Sequence, residues 1–192
     1  MSQLLTPEAL LQLVYRYFPA GAHVYEERYE SSDEFKRLDK LRRAAVEDQG
    51  TWTAFLKRVR EELPGTRVWD YPNIRYDPAY SARVLLPGYP VGAPEHKEVV
   101  LMVSILAPVH ILYATHSKKV HEHRKESISY QPPLPSEFQP VAEKVESLAI
   151  EAFGTTRLPQ DVLTTPVPSL YVGNTGFGKV TLADCLFGDY RW

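Results

Sequence analysis

The chain has 192 residues, a length that fits one domain and is sufficient to bury a substantial core. Hydrophobic residues make up 44% of the chain and charged residues 24%, which excludes a disordered or fibrous protein. The formal net charge of −2 excludes a global electrostatic attraction to nucleic acid or to an anionic membrane. We therefore expect a single domain over residues 1–192, with no nucleic-acid or membrane partner.

Signals for export or membrane insertion are not found in the sequence. Residues 1–21 lack a basic start followed by an apolar run and a small-residue cleavage site, and no apolar stretch reaches the roughly 20 residues that a spanning helix needs. Cys185 is the only cysteine, so no intramolecular disulfide can form and a reducing compartment is the simplest setting. These features predict a cytoplasmic location.

The first third of the chain has the period of amphipathic helices. Thr6 can cap a helix that has Pro7 in its first position. Ser31 and Glu34 have the spacing of a capping box for a second helix, and Pro64-Gly65 ends a third. The apolar residues of the three helices are, in order, Leu10, Leu11, Val14 and Phe18; Phe35, Leu38, Leu41 and Ala45; and Trp52, Phe55, Leu56, Val59 and Leu63.

Between residues 66 and 115 the pattern changes to that of β-strands. Four short segments rich in β-branched and aromatic residues are separated by proline and glycine clusters. The links between them are too short for crossover helices, which predicts an antiparallel meander of about four strands. Residues 99–106 alternate little and are expected to form a central strand that is buried on both faces. The four segments are TRVWDY, YSARVLL, EVVLMVSIL and VHILYAT.

After these strands the sequence predicts a polar loop from His116 to Pro135, one further helix and an irregular tail. Ser136 and Gln139 can form a capping box, and the helix that follows ends at Gly154. Proline and glycine then recur until VTLADCLFGDYRW supplies a short apolar closing segment with a final helical turn. The predicted fold class is α+β, with N-terminal amphipathic helices, the meander, a C-terminal helix and a Pro/Gly-rich tail.

The stretch VGNTGFGKVT places Gly173, Gly178 and Lys179 at the spacing of a phosphate-binding loop, with Val180 where a hydroxyl residue is expected. Such a loop follows a core strand and begins a long helix, whose N-terminal amides hold the phosphates. Only 13 residues follow Lys179, too few for that helix and a downstream strand with a metal-binding carboxylate. A turn with glycine at positive φ is favoured, and no cofactor is expected.

His116, His121 and His123 lie in a polar segment that invites a metal or phosphate site. Residues 117–127 contain four basic and two acidic side chains, and the cations oppose a bound divalent ion. No cysteine or convincing carboxylate set accompanies the histidines. A solvated loop or hairpin tip from His116 to Arg124 is therefore favoured over a metal site, and contact with an acidic partner stays open.

The segment AHVYEERYESSDE carries five carboxylates against one arginine. Acidic residues favour a helix N-terminus, and a solvated turn is the simplest interpretation of the remainder. A carboxylate patch can also mimic phosphate and fill the basic cleft of a nuclease. Glu26, Glu27 and Glu30 are the candidate residues for such a contact.

Aromatic residues are concentrated in VWDYPNIRYDPAY, and the whole chain has 12 tyrosines. Aromatic side chains with polar tips are common interface anchors, and they are equally common on the half-buried face of a sheet. Trp69 and Tyr71 are the candidate partner-binding anchors. No serine lies in a nucleophile-elbow context, and Cys185 lies in an apolar run, so no catalytic set is assembled from local spacing.

The stretches RLPQDVLTTPVPSLYVGN and GKVTLADCLFGDYRW, together with ILAPVHILYATH and YQPPLPSEF, resemble immunity proteins of bacterial polymorphic-toxin systems. The resemblance is to members encoded beside toxins of a restriction-endonuclease-like class, including swarming-inhibition immunity proteins of myxobacteria. It implies a small cytoplasmic α+β protein that binds one cognate toxin and blocks it without catalysis. It brings no residue-level inhibitory motif, so the interface candidates come from charge and aromatic content alone.

The function hypothesis is an immunity protein that binds and neutralises a cognate toxin, expected to be a nuclease, by covering its active or substrate-binding surface. The alternative is a small enzyme, either a nucleotide-dependent one that uses Gly173 to Lys179 or a hydrolase that uses His110 or His116. An adaptor with an unrelated partner is a third hypothesis. The sequence leaves the oligomeric state open.

Overall fold

The computed structural model describes residues 6–71, 74–90, 92–121 and 124–188. Within these ranges the chain forms seven helices and six strands, and the architecture is α+β, as predicted. The helices are α1 (Pro7–Val14), α2 (Glu27–Ser31), α3 (Asp33–Glu47), α4 (Gly50–Glu62), α5 (Gln139–Phe153), α6 (Gln160–Leu163) and α7 (Leu182–Phe187). The strands are β1 (Arg67–Asp70), β2 (Ala79–Leu85), β3 (Glu95–Ser104), β4 (Val109–His121), β5 (Arg124–Tyr130) and β6 (Thr156–Arg157).

The first five strands form an antiparallel meander in chain order, β1-β2-β3-β4-β5. The two-residue strand β6 joins β4 in parallel, with Val109 opposite Thr156. The central strand β3 is buried continuously from Glu98 to Ser104, which confirms the expected central strand over residues 99–104, while residues 105 and 106 lie beyond its end. None of the helices in the described ranges has the length and apolar character that crossing a bilayer requires.

The loop predicted from His116 to Pro135 was wrong, and the predicted number of four strands was too low, whereas the alternative of a hairpin between His116 and Arg124 agrees with the pairing of β4 and β5. Strand β4 continues to His121, and β5 returns beside it with Ser117 opposite Ser127. Most side chains at this end of the hairpin are exposed, so the apolar alternation that marks a strand is missing. Backbone ladder hydrogen bonds, rather than burial, hold this part of the sheet. His123 lies outside the described residues.

The helix ends follow the sequence signals in part. Thr6 caps α1 by accepting a hydrogen bond from the Ala9 amide at 3.3 Å, and Gly154 ends α5 with φ 62°, as predicted. The capping-box prediction at Ser31 was wrong by one residue. Ser32 has the extended backbone of a cap and accepts from the Phe35 amide at 3.1 Å, while Ser31 belongs to α2.

The capping box predicted for Ser136 and Gln139 was also wrong. The residue before α5 is Phe138, whose side chain has no exposed surface and makes no capping bond. The Gln139 side chain donates instead to the Leu134 carbonyl oxygen at 3.0 Å. Burial of the Phe138 ring, worth about 1.5–3 kcal/mol, places the start of the helix more effectively than a serine cap.

The sheet separates two apolar clusters. On one face α4 and α5 cover the strands, and Phe55, Val145 and Leu148 lie at the centre of this layer. On the other face α1, α7 and the C-terminal segment cover the sheet, through residues such as Leu10, Leu170 and Leu182. The segment predicted as an irregular tail therefore contains α6 and α7 and supplies core side chains.

The second face of the sheet is only partly covered. Trp69 in β1 and Tyr71 just beyond it retain 44% and 55% of their surface. Both lie on the same face as Arg83, because Trp69 pairs with Arg83 and Tyr71 lies two residues further along. This partly covered edge forms one wall of the candidate functional site.

Candidate functional site

A cleft of about 650 Å³ opens between the uncovered edge of the sheet, the α2–α3 region and the C-terminal segment. Ligand pockets commonly have volumes of about 300–1,000 Å³ and combine apolar walls with a few polar groups. The apolar part of this wall is formed by Phe18, Val24, Phe35 and Val172. The polar part is formed by Tyr29, Glu30, Arg42, Tyr71, Tyr76, Asp77 and Arg83.

One side of the short helix α2 is buried and the other is exposed. Tyr29 points into the protein and is 6% exposed, with its ring centroid 5.4 Å from that of Phe35 in α3. Its neighbour Glu30 is exposed. Burial raises the pKa of Tyr29 to about 12, with the positive charge of Arg42 acting in the opposite direction. The Tyr29 hydroxyl is therefore protonated over the physiological range.

Arg42 reaches the cleft from α3 and donates from Nη2 to the Tyr76 carbonyl oxygen. Its Nε is enclosed and has no hydrogen-bond acceptor, and no ion pair of Arg42 is formed within the described ranges. Burial lowers the pKa of Arg42, while Tyr29, Asp77 and Asp39 act to raise it. A guanidinium remains charged under these conditions.

Arg83 is the second cation of the cleft, and its charge is balanced. Its Nη1 donates to Oε1 of Glu98 at 2.5 Å, and its guanidinium carbon lies 5.1 Å from the centroid of the Tyr71 ring. Glu98 is 2% exposed and also accepts from the Thr115 hydroxyl at 2.9 Å. This arrangement fixes the Arg83 side chain and, through the cation–π contact, orients Tyr71 at the mouth of the cleft.

Two of the five predicted partner-binding residues, Glu30 and Tyr71, line the same cleft. Trp69 lies beside them on the sheet face without lining the cavity. Glu26 and Glu27 are exposed at the start of α2. Glu26 forms a salt bridge with Arg28, and hydrogen bonding to that guanidinium lowers the pKa of Glu26.

Two further exposed aromatic residues, Tyr25 and Tyr76, were not among the candidates chosen from the sequence, although Tyr76 lies in the aromatic segment VWDYPNIRYDPAY. Tyr25 retains 83% of its surface and Tyr76 retains 73%. On the other side of the cleft, the ring of His23 lies 5.1 Å from that of Tyr25 and 4.0 Å from that of Tyr171. Their chain neighbours Val24 and Val172 line the cavity. The sequence signal that could have identified these residues is the concentration of tyrosine in loop segments.

The glycines of VGNTGFGKVT form a turn, as predicted. Gly173 and Gly178 have φ of 54° and 78°, and the Gly178 amide donates to the Pro168 carbonyl oxygen at 2.9 Å. The helix that follows, α7, has six residues and begins three residues after Lys179. Gly173 contributes backbone to the wall of the cleft.

His110, proposed as a hydrolase residue, has no exposed surface. Its Nδ1 lies 2.9 Å from the Thr155 hydroxyl and its Nε2 lies 3.0 Å from Oε1 of Glu146, which also pairs with Arg157 at 2.9 Å. Burial lowers the pKa of His110 against the opposing effect of the Glu146 hydrogen bond. Both ring nitrogens therefore have partners inside the protein.

The remaining candidate residues lie apart from the cleft. His116 in β4 pairs with Glu95 at 2.7 Å, and hydrogen bonding to His116 lowers the pKa of Glu95. His121 is exposed at the end of β4. Cys185 is buried in α7, as expected for a core residue. Across the described portion of the chain, no three His, Cys, Asp or Glu side chains are grouped so that they could hold a metal ion.

The chain gives no significant match to a protein-family model, to a curated protein or to a solved structure.

Proposed function

We propose that the chain is an immunity protein that binds a cognate toxin, a nuclease, and neutralises it by covering its active or substrate-binding surface. The observation that supports this proposal is the group of exposed aromatic residues around the cleft. We call this group the aromatic rim and define it as Tyr25, Trp69, Tyr71 and Tyr76. Their exposed fractions are 83%, 44%, 55% and 73%.

Exposed tyrosine and tryptophan side chains suit a protein interface because each combines a large apolar area with a polar tip. Trp69 is held on a strand, and Tyr71 is held by its contact with Arg83. Little side-chain entropy remains to be lost when a partner covers rings that are already restricted. In the proposed complex these two residues are the anchors, the role for which the sequence hypothesis selected them.

We assign two acidic residues to the interface, one fewer than the three that the sequence hypothesis included. Glu26 is compensated by Arg28, whereas Glu27 and Glu30 lie one helical turn apart in α2 and are both exposed. Residues three positions apart share a helix face. We infer that Glu27 and Glu30 act together opposite basic residues of the toxin, and that their main effect is on the association rate.

The test is co-expression of the chain with the product of the adjacent gene, whose toxicity is measured alone and in the presence of the chain. The proposal requires that the product be lethal alone and harmless when the chain is present. A product that is harmless alone, or that stays lethal in the presence of the chain, contradicts it.

The interface is tested by the double variant Trp69→Ala, Tyr71→Ala. Truncation of two central anchors is expected to weaken binding by about 2 kcal/mol or more, a factor of about 30 in the dissociation constant. Ile150→Ala is the matched control, because Ile150 is 47% exposed on α5, which covers the opposite face of the sheet. If the double variant and the control bind with equal affinity, Trp69 and Tyr71 are not part of the interface.

A further inference from the structure

We propose that the chain forms a symmetric homodimer through its edge strand β5, in which two copies of Arg124–Tyr130 pair antiparallel with Ser127 on the two-fold axis. This inference goes beyond the immunity function and does not depend on it, because β5 lies at the opposite edge of the meander from Trp69 and Tyr71. It rests on the open edge of β5, on the direction of its backbone groups and on the match of the segment with itself.

Strand β5 is the longer of the two outer strands of the meander. It has seven residues, whereas β1 at the other edge has four. In the described part of the chain β5 pairs with β4 alone, residues 125–129 are exposed, and Ile128 retains 56% of its surface. Proteins usually shorten, cover or charge such an edge, because its backbone groups can take up another strand. The charged residues of β5 are its first three, so residues 127–130 are left without this protection.

The outer edge of β5 presents the backbone groups of Lys125, Ser127 and Ser129. In β4 the Lys119 amide donates to the Pro94 carbonyl oxygen, on the side of β3. Opposed residues of antiparallel strands exchange both backbone hydrogen bonds or neither. Lys119 lies opposite Lys125, so Lys125 directs its N–H and C=O away from β4. The register is regular from this pair to the end of β5, and every second residue therefore has the same direction.

The pairing of β6 supports this direction. Strand β3 occupies one side of β4, so β5 and β6 share the other side. On that side the His110 carbonyl oxygen accepts from the Leu158 amide at 3.0 Å. The even-numbered residues of β4 therefore direct their backbone groups towards β5, and the even-numbered residues opposite them in β5 direct theirs inwards.

The segment is complementary to a second copy of itself. With Ser127 on the axis, Lys125 of one copy lies opposite Ser129 of the other, so all three outward-directed residues pair and form about six backbone hydrogen bonds. Glu126 lies opposite Ile128, and no two like charges face each other. The two Ile128 side chains become diagonal neighbours on the same face, which covers apolar surface that is exposed in the monomer.

Other two-fold registers fit this edge less well. An axis at Glu126 places two carboxylates opposite each other, and an axis at Lys125 does the same with two ammonium groups, which destabilises a strand pair. An axis at Ile128 pairs only Ser127 and Ser129 among the outward-directed residues of β5. An axis between two residues opposes an outward-directed residue to an inward-directed one, which a regular antiparallel ladder does not allow. The register about Ser127 is therefore favoured.

The first measurement is sedimentation equilibrium of the full chain. One pair of strands buries less than the roughly 1,200 Å² of a standard interface, so we expect a weak dimer with a dissociation constant of about 10–500 µM. Ser127→Pro is expected to weaken the dimer at least about tenfold, because each copy loses the donor on the axis while the ladder with β4 is kept. Ser127→Thr is the matched control, because it retains that donor. Circular dichroism and urea unfolding show whether each variant is folded.

Disulfide cross-linking tests the register, and it keeps the proposal testable if Ser127→Pro fails to fold. In the proposed dimer the Cα atoms of Glu126 in one copy and Ile128 in the other are about 4.5 Å apart. Two copies of the same residue are about 8 Å apart, beyond the reach of a disulfide. A mixture of Glu126→Cys and Ile128→Cys chains is therefore expected to cross-link at least about fivefold more than either variant alone. Ser31→Cys, exposed on α2, is the control, and the buried Cys185 does not compete.

The proposal is overturned if the full chain is monomeric at about 500 µM, or if Ser127→Pro and Ser127→Thr dimerise equally. It is also overturned if either cysteine variant alone cross-links as readily as the mixture. These results are independent of the toxicity test, and the double variant Trp69→Ala, Tyr71→Ala is expected to dimerise like the wild type. The dimer can therefore stand while the immunity function fails, and the reverse.

Discussion

Glu98 and Arg83 form an ion pair inside the sheet, with Nη1 of Arg83 2.5 Å from Oε1 of Glu98. Glu98 is 2% exposed, and its Oε2 and the Nε of Arg83 are enclosed without hydrogen-bond partners within the described residues. Arg83 is therefore the cation that compensates the buried negative charge of Glu98, and it does so through a single N–H···O contact. The same arginine supports Tyr71 at the cleft.

Removal of one member of this pair should cost far more than removal of both. Arg83→Met leaves the Glu98 carboxylate buried without a cation and is expected to lower the free energy of unfolding by about 3 kcal/mol. The double variant Arg83→Met, Glu98→Met removes both charges and is expected to recover most of that loss. Urea unfolding of the two single variants and the double variant gives the coupling energy. A double variant that is less stable than Arg83→Met contradicts this account of the pair.

Gly188 is expected to resist substitution more strongly than Gly178. Gly188 has φ 101° and ψ 161°, a region essentially restricted to glycine, and an added Cβ would overlap the Asp77 side chain. Gly178 also has positive φ, but no atom lies within 4 Å of the position of an added Cβ. Gly188→Ala should therefore cost more than the roughly 1–3 kcal/mol of backbone strain alone, and Gly178→Ala should not exceed it. Urea unfolding compares the two variants, and equal losses would contradict the role of Asp77.

His110 should make the protein less stable in mild acid. Its pKa is lowered from 6.5 in the folded protein, mainly by burial, so the unfolded chain binds more protons below that pH. The stability contributed by the neutral ring is present above about pH 6.5 and is lost as the pH falls towards the folded-state pKa. His96 has a lowered pKa through burial as well and adds in the same direction.

The measurement is the free energy of unfolding in urea at about pH 7.5 and about pH 5, for the wild type and for His110→Gln. The variant is expected to show a smaller loss of stability between the two values. His121→Gln is the control, because it makes the same replacement at an exposed position at the end of β4. An unchanged pH dependence in His110→Gln would show that Glu146 and Arg157 compensate the ring at both values.

The layer formed by α4 and α5 is expected to depend strongly on Phe55. This side chain is 1% exposed, and its ring centroid lies 5.3 Å from that of Trp52 and 5.5 Å from that of Phe153. Phe55→Ala should lower the free energy of unfolding by about 3–5 kcal/mol through lost burial and a new cavity. Ile150→Ala, at a position 47% exposed on α5, should change it by no more than about 0.5 kcal/mol. Urea unfolding distinguishes the two, and similar losses would show that the core repacks around the missing ring.

Local patterns predicted elements whose stability comes from one continuous apolar stripe or from a cap. Thr6 and Pro7 start α1, Gly154 ends α5, and the unbroken apolar run in β3 places that strand at the centre of the sheet. Strand β5 was missed because its register is set by pairing with β4, and its own exposed residues carry no apolar alternation. Pairing between strands depends on the residues of the partner strand, and these lie outside a short window of sequence.

Some residues of the cleft were selected from the sequence, and others were not. Glu30 and Tyr71 were selected from separate segments by charge and by aromatic content, and the fold places both on one wall. Arg42 was not selected, because in the sequence it is one of several basic residues on an amphipathic helix. The fold places it in the wall of the cleft with Tyr29 and Asp77, which come from other parts of the chain.

The sequence by itself determined the fold class, the central strand and most helix positions, because these depend on residue spacing over about one to four turns or a single strand. It also determined the net charge and the supply of tyrosine and tryptophan. Only the tertiary structure decided that Arg83 compensates Glu98 and that Arg42 lines the cleft. The physical reason is that burial and charge compensation depend on which distant segments pack together, and this packing is set by the whole core.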